Sequence, residues 1–143
     1  MTQEEKKLLL RVMCSMLMYG VKVNFKLPNY TKKTFEEHIG YLETIDKYGG
    51  YKIKSKGIDY RGFGLDFVPY LRPMSSMTDE ERKEYYAFFF SKDDEEFPDT
   101  IEEDEMFNLI DWLNEHHLDY LGLIEKVLAL EAPDGMYDTI AKA

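Results

Sequence analysis

Apolar positions along the chain change period twice. Over residues 3–18, Leu9, Val12, Met13 and Met16 recur at three- and four-residue intervals behind a Thr2/Glu5 pair with capping-box spacing. This predicts a helix whose apolar residues cover more than half its circumference, ended by Gly20. From Val21 the period drops to two. Val21, Val23, Phe25 and Leu27 alternate with Lys22, Asn24 and Lys26, the pattern of a half-buried strand stopped at Pro28 and Asn29. A second extended stretch is expected from about Glu37 to Ile45. Asp46–Gly50 then supplies a glycine turn, and Tyr51, Ile53 and Ser55 alternate with Lys52 and Lys54 on the return. Short strands at Ile58–Tyr60 and Leu65–Val68 complete the section, with Pro69 and Pro73 closing it.

Several short strands joined by glycine turns predict a bent antiparallel sheet over about residues 21–68. An SH3-like or OB-like barrel is the leading form and an open sheet flanked by helices the alternative. Helical spacing returns after Met74. Thr78 and Glu81 form a second capping box for a helix running to about Phe89. A further helix is expected over Glu103–His117, with Met106, Leu109, Ile110 and Leu113 as its buried stripe, and a shorter one over Leu123–Leu130. The whole reads as one α+β domain, residues 1–143: N-terminal helix 3–18, β-rich section 21–73, acidic helical section 74–143. No repeat or low-complexity linker divides it.

The 143 residues are 44% hydrophobic and 15% aromatic, which excludes a disordered chain and allows a core without staples. Cys14 stands alone, so no intrachain disulfide framework exists; its apolar surroundings predict a buried structural thiol in a reducing compartment. The apolar run Leu8–Met18 follows Glu4 and Glu5, contains Arg11 and is too short to span a bilayer. The expectation is therefore a cytoplasmic protein with no membrane association. Charge is divided along the chain: residues 1–72 hold 13 Lys/Arg against 8 Asp/Glu, residues 73–143 hold 5 against 20. Such asymmetry implies two faces with different partners, or two halves that attract each other.

No motif for catalysis emerges. Gly62-x-Gly64 opens no helix, and Ser75 and Ser76 lack the glycines of a nucleophile elbow. Asp111 and Glu115 share a helix face, the ordinary arrangement of a solvated acidic surface. Beyond His38, the histidines are His116 and His117, adjacent within Glu115–Asp119. Neighbours on a helix point about 100° apart and do not readily share an ion. No cofactor, metal ligand set or catalytic residue is assigned. A more productive pattern lies in the basic half, where Lys52, Lys54, Lys56 and Arg61 interleave with Tyr51, Tyr60 and Phe63. Cations beside aromatic rings are the ingredients of single-stranded nucleic-acid or peptide recognition. Strand alternation divides the cluster between two sides of the sheet, and lysines also protect sheet edges.

Two runs, Pro69–Glu81 (PYLRPMSSMTDEE) and Asp111–Tyr137 (DWLNEHHLDYLGLIEKVLALEAPDGMY), together 40 residues, resemble a family of short uncharacterised proteins of gut Bacteroidales and their phages and integrated elements. In that family a basic residue often stands where this chain has Leu121, and a glycine where it has Val127. The resemblance implies a phage or mobile-element accessory protein and brings no reaction, cofactor or catalytic residue. The expected function is thus a non-enzymatic interaction protein with a macromolecular partner, foremost a protein, with single-stranded nucleic acid as the partner the basic half fits. Binding candidates are Lys52, Lys54, Tyr60 and Arg61 on the basic side, and Tyr70, Arg72, His116, His117, Asp119 and Tyr120 in or beside the two runs. The alternatives are an acidic nucleic-acid mimic acting through Asp93–Glu96 and Glu102–Glu105, and a small enzyme or metal protein using His116 or His117. The spacing demands no particular oligomeric state.

Overall fold

The computed structural model describes residues 1–89 and 103–137. The fold is α+β: an open, six-stranded mixed sheet with helices at one face and one edge. Helix α1 (Gln3–Met16) begins with the expected capping box, Thr2 and Glu5 exchanging side-chain-to-backbone bonds, and continues as a 3-10 turn, Leu17–Tyr19, closed by Gly20 at φ 72°. Strands β1 (Lys22–Asn29), β2 (Thr34–Ile45), β3 (Tyr51–Ser55) and β4 (Ile58–Gly62) form an antiparallel meander. Strand β5 (Val68–Leu71) returns to pair antiparallel with β1, and the two-residue β6 (Leu130–Glu131) adds in parallel beside it, giving the order β4-β3-β2-β1-β5-β6. The barrel expected over residues 21–68 therefore does not close. Joining β5 to β1 carries the chain across the sheet and leaves β4 at its edge among the described residues.

Backbone direction explains two prolines inside strands. The Leu42 N–H donates to the Val21 carbonyl at 3.0 Å. Odd residues of β1 therefore bond toward β2, and even ones point the other way. Pro28 is an even residue, so its missing N–H costs no bond to β2, and β1 runs through it to Asn29. Pro69 lies opposite Val23, whose groups face β2, so β5 includes a residue expected to end the strands.

Helix α1 buries Leu9, Val12, Met13 and Met16 against Val21, Val23, Phe25, Leu42, Ile53 and Leu71 on the inner sheet face. Its opposite side is exposed. Cys14 lies there in solvent, so the buried thiol expected from its neighbours is corrected: one apolar stripe satisfies the sheet, and Cys14 falls off it. A second cluster joins α2 (Asp79–Ala87) to α3 (Glu103–Glu115) through Leu109, Leu113, Leu118, Tyr85 and Trp112; Met106, expected in the stripe, is exposed.

The helix expected over Leu123–Leu130 is replaced by consecutive turns leading into β6. Its apolar spacing serves the core differently: Leu123, Leu128 and Ala129 are buried while Val127 is 84% exposed. Val127 also holds φ 60°, a left-handed conformation costly for a β-branched residue. No helix among the described residues is long and apolar enough to cross a membrane.

Candidate functional site

The six candidates from the two familiar runs become joints of the fold. Arg72, just after β5, exchanges backbone bonds with the turn beyond α3: its N–H donates to the His117 carbonyl and its carbonyl accepts from the Asp119 N–H, both at 2.8 Å. Its guanidinium forms a two-pronged pair with Glu81, at 2.8 and 2.7 Å, and also donates to the Ser76 carbonyl at 3.2 Å. Glu81 is the capping-box residue of α2, accepting the Thr78 N–H at 2.9 Å, so one carboxylate starts a helix and ties it to the sheet. The Arg72 hydrogen bonds outweigh burial and hold the Glu81 carboxyl down at about 2.

His116 and His117 part at the helix end. The His116 Nδ1 lies 2.7 Å from the Trp112 carbonyl and so carries the proton, and its ring packs on Trp112 at 4.2 Å. His117 takes φ 57°, leaves the helix and donates from Nε2 to the Tyr19 carbonyl at 2.8 Å, with its ring stacked 3.8 Å from Tyr137. Tyr137 is half-buried, and the desolvation of its phenol pushes it well above the ordinary range; its hydroxyl accepts the Lys22 N–H at 2.7 Å and donates to the Tyr70 carbonyl at 2.8 Å. Tyr70 accepts from Asn24 through its own hydroxyl, Asp119 accepts the Leu123 and Ile124 N–H groups, and Tyr120 donates to Asn114. By their side chains, Arg72 and His116 converge on Glu81, while none of the six lines either of the two clefts described below. Among the described residues no group of three or more His, Cys, Asp and Glu could hold a metal ion. Asp93–Glu96 and Glu102, invoked for an acidic mimic, lie outside the described residues.

The basic side is rearranged rather than absorbed. Lys52 and Lys54 both reach Glu43, at 3.0 and 3.4 Å, which neutralises part of their charge and lowers the Glu43 carboxyl through the Lys52 bond first. Tyr60 is half-buried on the inner face against Phe25. Arg61, opposite Lys52 on the outer face, is exposed and has no ion pair among the described residues. It lines a cleft of about 180 Å³ with Asp46, Tyr51 and Phe63. Phe63 is 82% exposed, and the loop carrying it meets the β2–β3 turn, where the Leu65 N–H donates to the Gly49 carbonyl at 3.2 Å. That turn presents Tyr48, 81% exposed, with the Lys47 ammonium 5.1 Å from its ring.

A second cleft, about 190 Å³, is lined by Lys22, Ile39, Tyr41, Lys54 and Lys56. Register creates it: Lys22, Tyr41 and Lys54 are successive partners across β1, β2 and β3. The Lys22 ammonium stands 5.3 Å from the Tyr41 ring and donates to the Met136 carbonyl at 3.0 Å. Lys22 and Tyr41 escape a reading of single segments, because strand pairing brings them beside Lys54 in this cleft. Compared with known proteins, the chain matches no family model, no curated protein and no solved structure.

Proposed function

We propose that the protein is a non-enzymatic binding module that takes a single-stranded nucleic acid across the outer side of its sheet. The carrying observation is the repetition of one arrangement, an exposed aromatic ring beside cations, in two neighbouring clefts: Tyr41 with Lys22, Lys54 and Lys56, and Phe63 with Arg61. Rings stack bases without regard to sequence, and cations follow the phosphates. The clefts are three strand residues apart, from Tyr51 to Lys54, which is about 10 Å or roughly three stacked nucleotides.

The formal net charge of −10 does not oppose this at the Phe63–Arg61 cleft, because the charge is segregated along the chain. Arg61 on β4 is four strand positions from β5, where the acidic helices attach. At roughly 4.8 Å per strand this is about 19 Å, some two Debye lengths in physiological salt. The sequence resemblance supports reading the chain as a phage or mobile-element accessory protein.

Fluorescence anisotropy with labelled oligo-dT and an unstructured RNA tests the proposal. Binding is expected to weaken with salt with a log–log slope near −3, about 0.7 for each of about four phosphates. Phe63→Ala should weaken it roughly five- to a hundredfold, the loss of one stacked base. Absence of binding in low salt at about 100 µM protein, where even non-specific binders respond, overturns it.

A further inference from the structure

We infer that two copies of this chain pair antiparallel along β4, around a two-fold axis at Tyr60, so that Asp59 of each copy faces Arg61 of the other. Strand β4 ends the sheet, with no strand beyond it among the described residues. The direction of its backbone groups follows from the pairing across the sheet. The Leu42 N–H donates to the Val21 carbonyl, so even residues of β2 bond toward β1 and odd ones toward β3. Tyr41 lies opposite Lys54, so Lys54 bonds back to β2, and its neighbours Ile53 and Ser55 bond onward to β4. Their partners there are Tyr60 and Ile58. Asp59 and Arg61 therefore turn their N–H and C=O groups away from the sheet, a template for another strand. Ile58, Asp59 and Arg61 are all exposed, so the edge is clear. Beyond Gly62 the chain bends back across the sheet instead of running along this edge, which is how the Leu65 N–H reaches the Gly49 carbonyl.

Charges on an edge strand ordinarily keep other strands away. Here they have opposite signs two residues apart, and neither Asp59 nor Arg61 has an ion pair among the described residues of its own chain. With Tyr60 on the axis, each finds its complement in the other copy, twice over, on the outer face. Sliding the register by two residues in either direction sets Arg61 against Arg61 or Asp59 against Asp59, and sliding by one misaligns the outward backbone groups. The inner face agrees with the same register. Ile58, 55% exposed, lies opposite Gly62 of the other copy, where a side chain is missing because the Tyr51 ring crosses that position. An exposed apolar side chain thus meets an aromatic wall. The carboxylate takes one edge of the Arg61 guanidinium and leaves its remaining donors for a phosphate. A second copy is the partner this charge pattern selects.

The inference does not depend on the nucleic-acid reading and is measured without nucleic acid. Light scattering on the eluting protein should give twice the 16.9 kDa chain mass at high concentration, falling back to one chain on dilution. Asp59→Arg sets arginines opposite each other and Arg61→Asp sets carboxylates opposite each other, so each variant alone should elute as a monomer. Both positions are exposed, and circular dichroism should show both variants folded. Mixed in equal amounts, the two variants should form a heterodimer, because every facing pair is again of opposite sign. The double variant Asp59→Arg/Arg61→Asp should pair with itself for the same reason. Tyr30→Ala, at the exposed hairpin tip away from β4, should remain dimeric. A wild type still monomeric at about 1 mM, where even weak pairing shows, overturns the proposal. So does a dimer of either single variant, or a mixture of the two that stays monomeric.

Discussion

Replacing Glu81 by glutamine tests whether the first familiar run is held by folding physics. The carboxylate accepts both prongs of Arg72 and the Thr78 N–H, and the paired side chains are only 18% and 14% exposed. Glutamine keeps one oxygen and turns an amide toward the guanidinium, losing at least one charge-assisted bond, worth about 1.5–3 kcal/mol. Discounting for the remaining solvent access, we expect a cost of about 2 kcal/mol at pH 7. At about 3–4 °C per kcal/mol for this size, Tm should fall by about 6–8 °C. The pH dependence is more diagnostic. Glu81 binds its proton more weakly in the folded state, its value dropping from 4.5 to about 2 because Arg72 bonds the charged form. Its contribution is therefore complete above about pH 4.5 and is lost as pH falls toward 2. Urea denaturation followed by circular dichroism across that range should show the gap between wild type and Glu81→Gln closing. A gap below about 0.5 kcal/mol at pH 7, the size of an ordinary surface change, refutes the reasoning. So does a gap that stays constant into acid.

Val127→Gly should raise stability by about 1 kcal/mol, because φ 60° suits glycine and the exposed valine side chain loses little; thermal denaturation reads it directly. Gly40→Ala should cost about 1–3 kcal/mol, since a Cβ there would lie 2.7 Å from both the Lys54 carbonyl and an Ile53 methyl, and chemical denaturation measures the loss. Tyr137→Phe leaves the Lys22 N–H without its acceptor and should cost about 1–3 kcal/mol in the same assay. Burial raises the Tyr137 pKa above its ordinary value of 10, so wild type should lose this contribution as pH rises past that value, while Tyr137→Phe shows a flatter alkaline limb.

Local signals carried much of the fold. Both capping boxes form because Thr2/Glu5 and Thr78/Glu81 meet requirements confined to one helical turn. The alternation Val21–Phe25 placed those residues inward because a two-residue period has only two faces. Non-local partners decided what was missed. Leu123, Ile124, Val127 and Leu128 have helical spacing, but Asp119 holds the first two N–H groups in a turn and Leu128 folds back onto the core. The barrel was excluded by β5 pairing with β1, a contact between distant segments. Likewise Arg72, His116 and Asp119 carry polar chemistry that looks functional until their partners are known to be Glu81, Trp112 and backbone amides. Arg61 was read only as one cation of a basic cluster beyond a strand ending at Tyr60, and Lys52 and Lys54 were not legible as Glu43's partners across a bulge between Leu42 and Thr44.

Mapping amide chemical shifts during titration with a short oligo-dT tests the central assignment most directly. The account predicts that perturbations concentrate at Tyr41, Lys54, Lys56, Arg61 and Phe63, leaving Arg72, His116 and Asp119 unmoved. Shifts centred on His116 and Trp112, or none at saturating oligonucleotide, would contradict it.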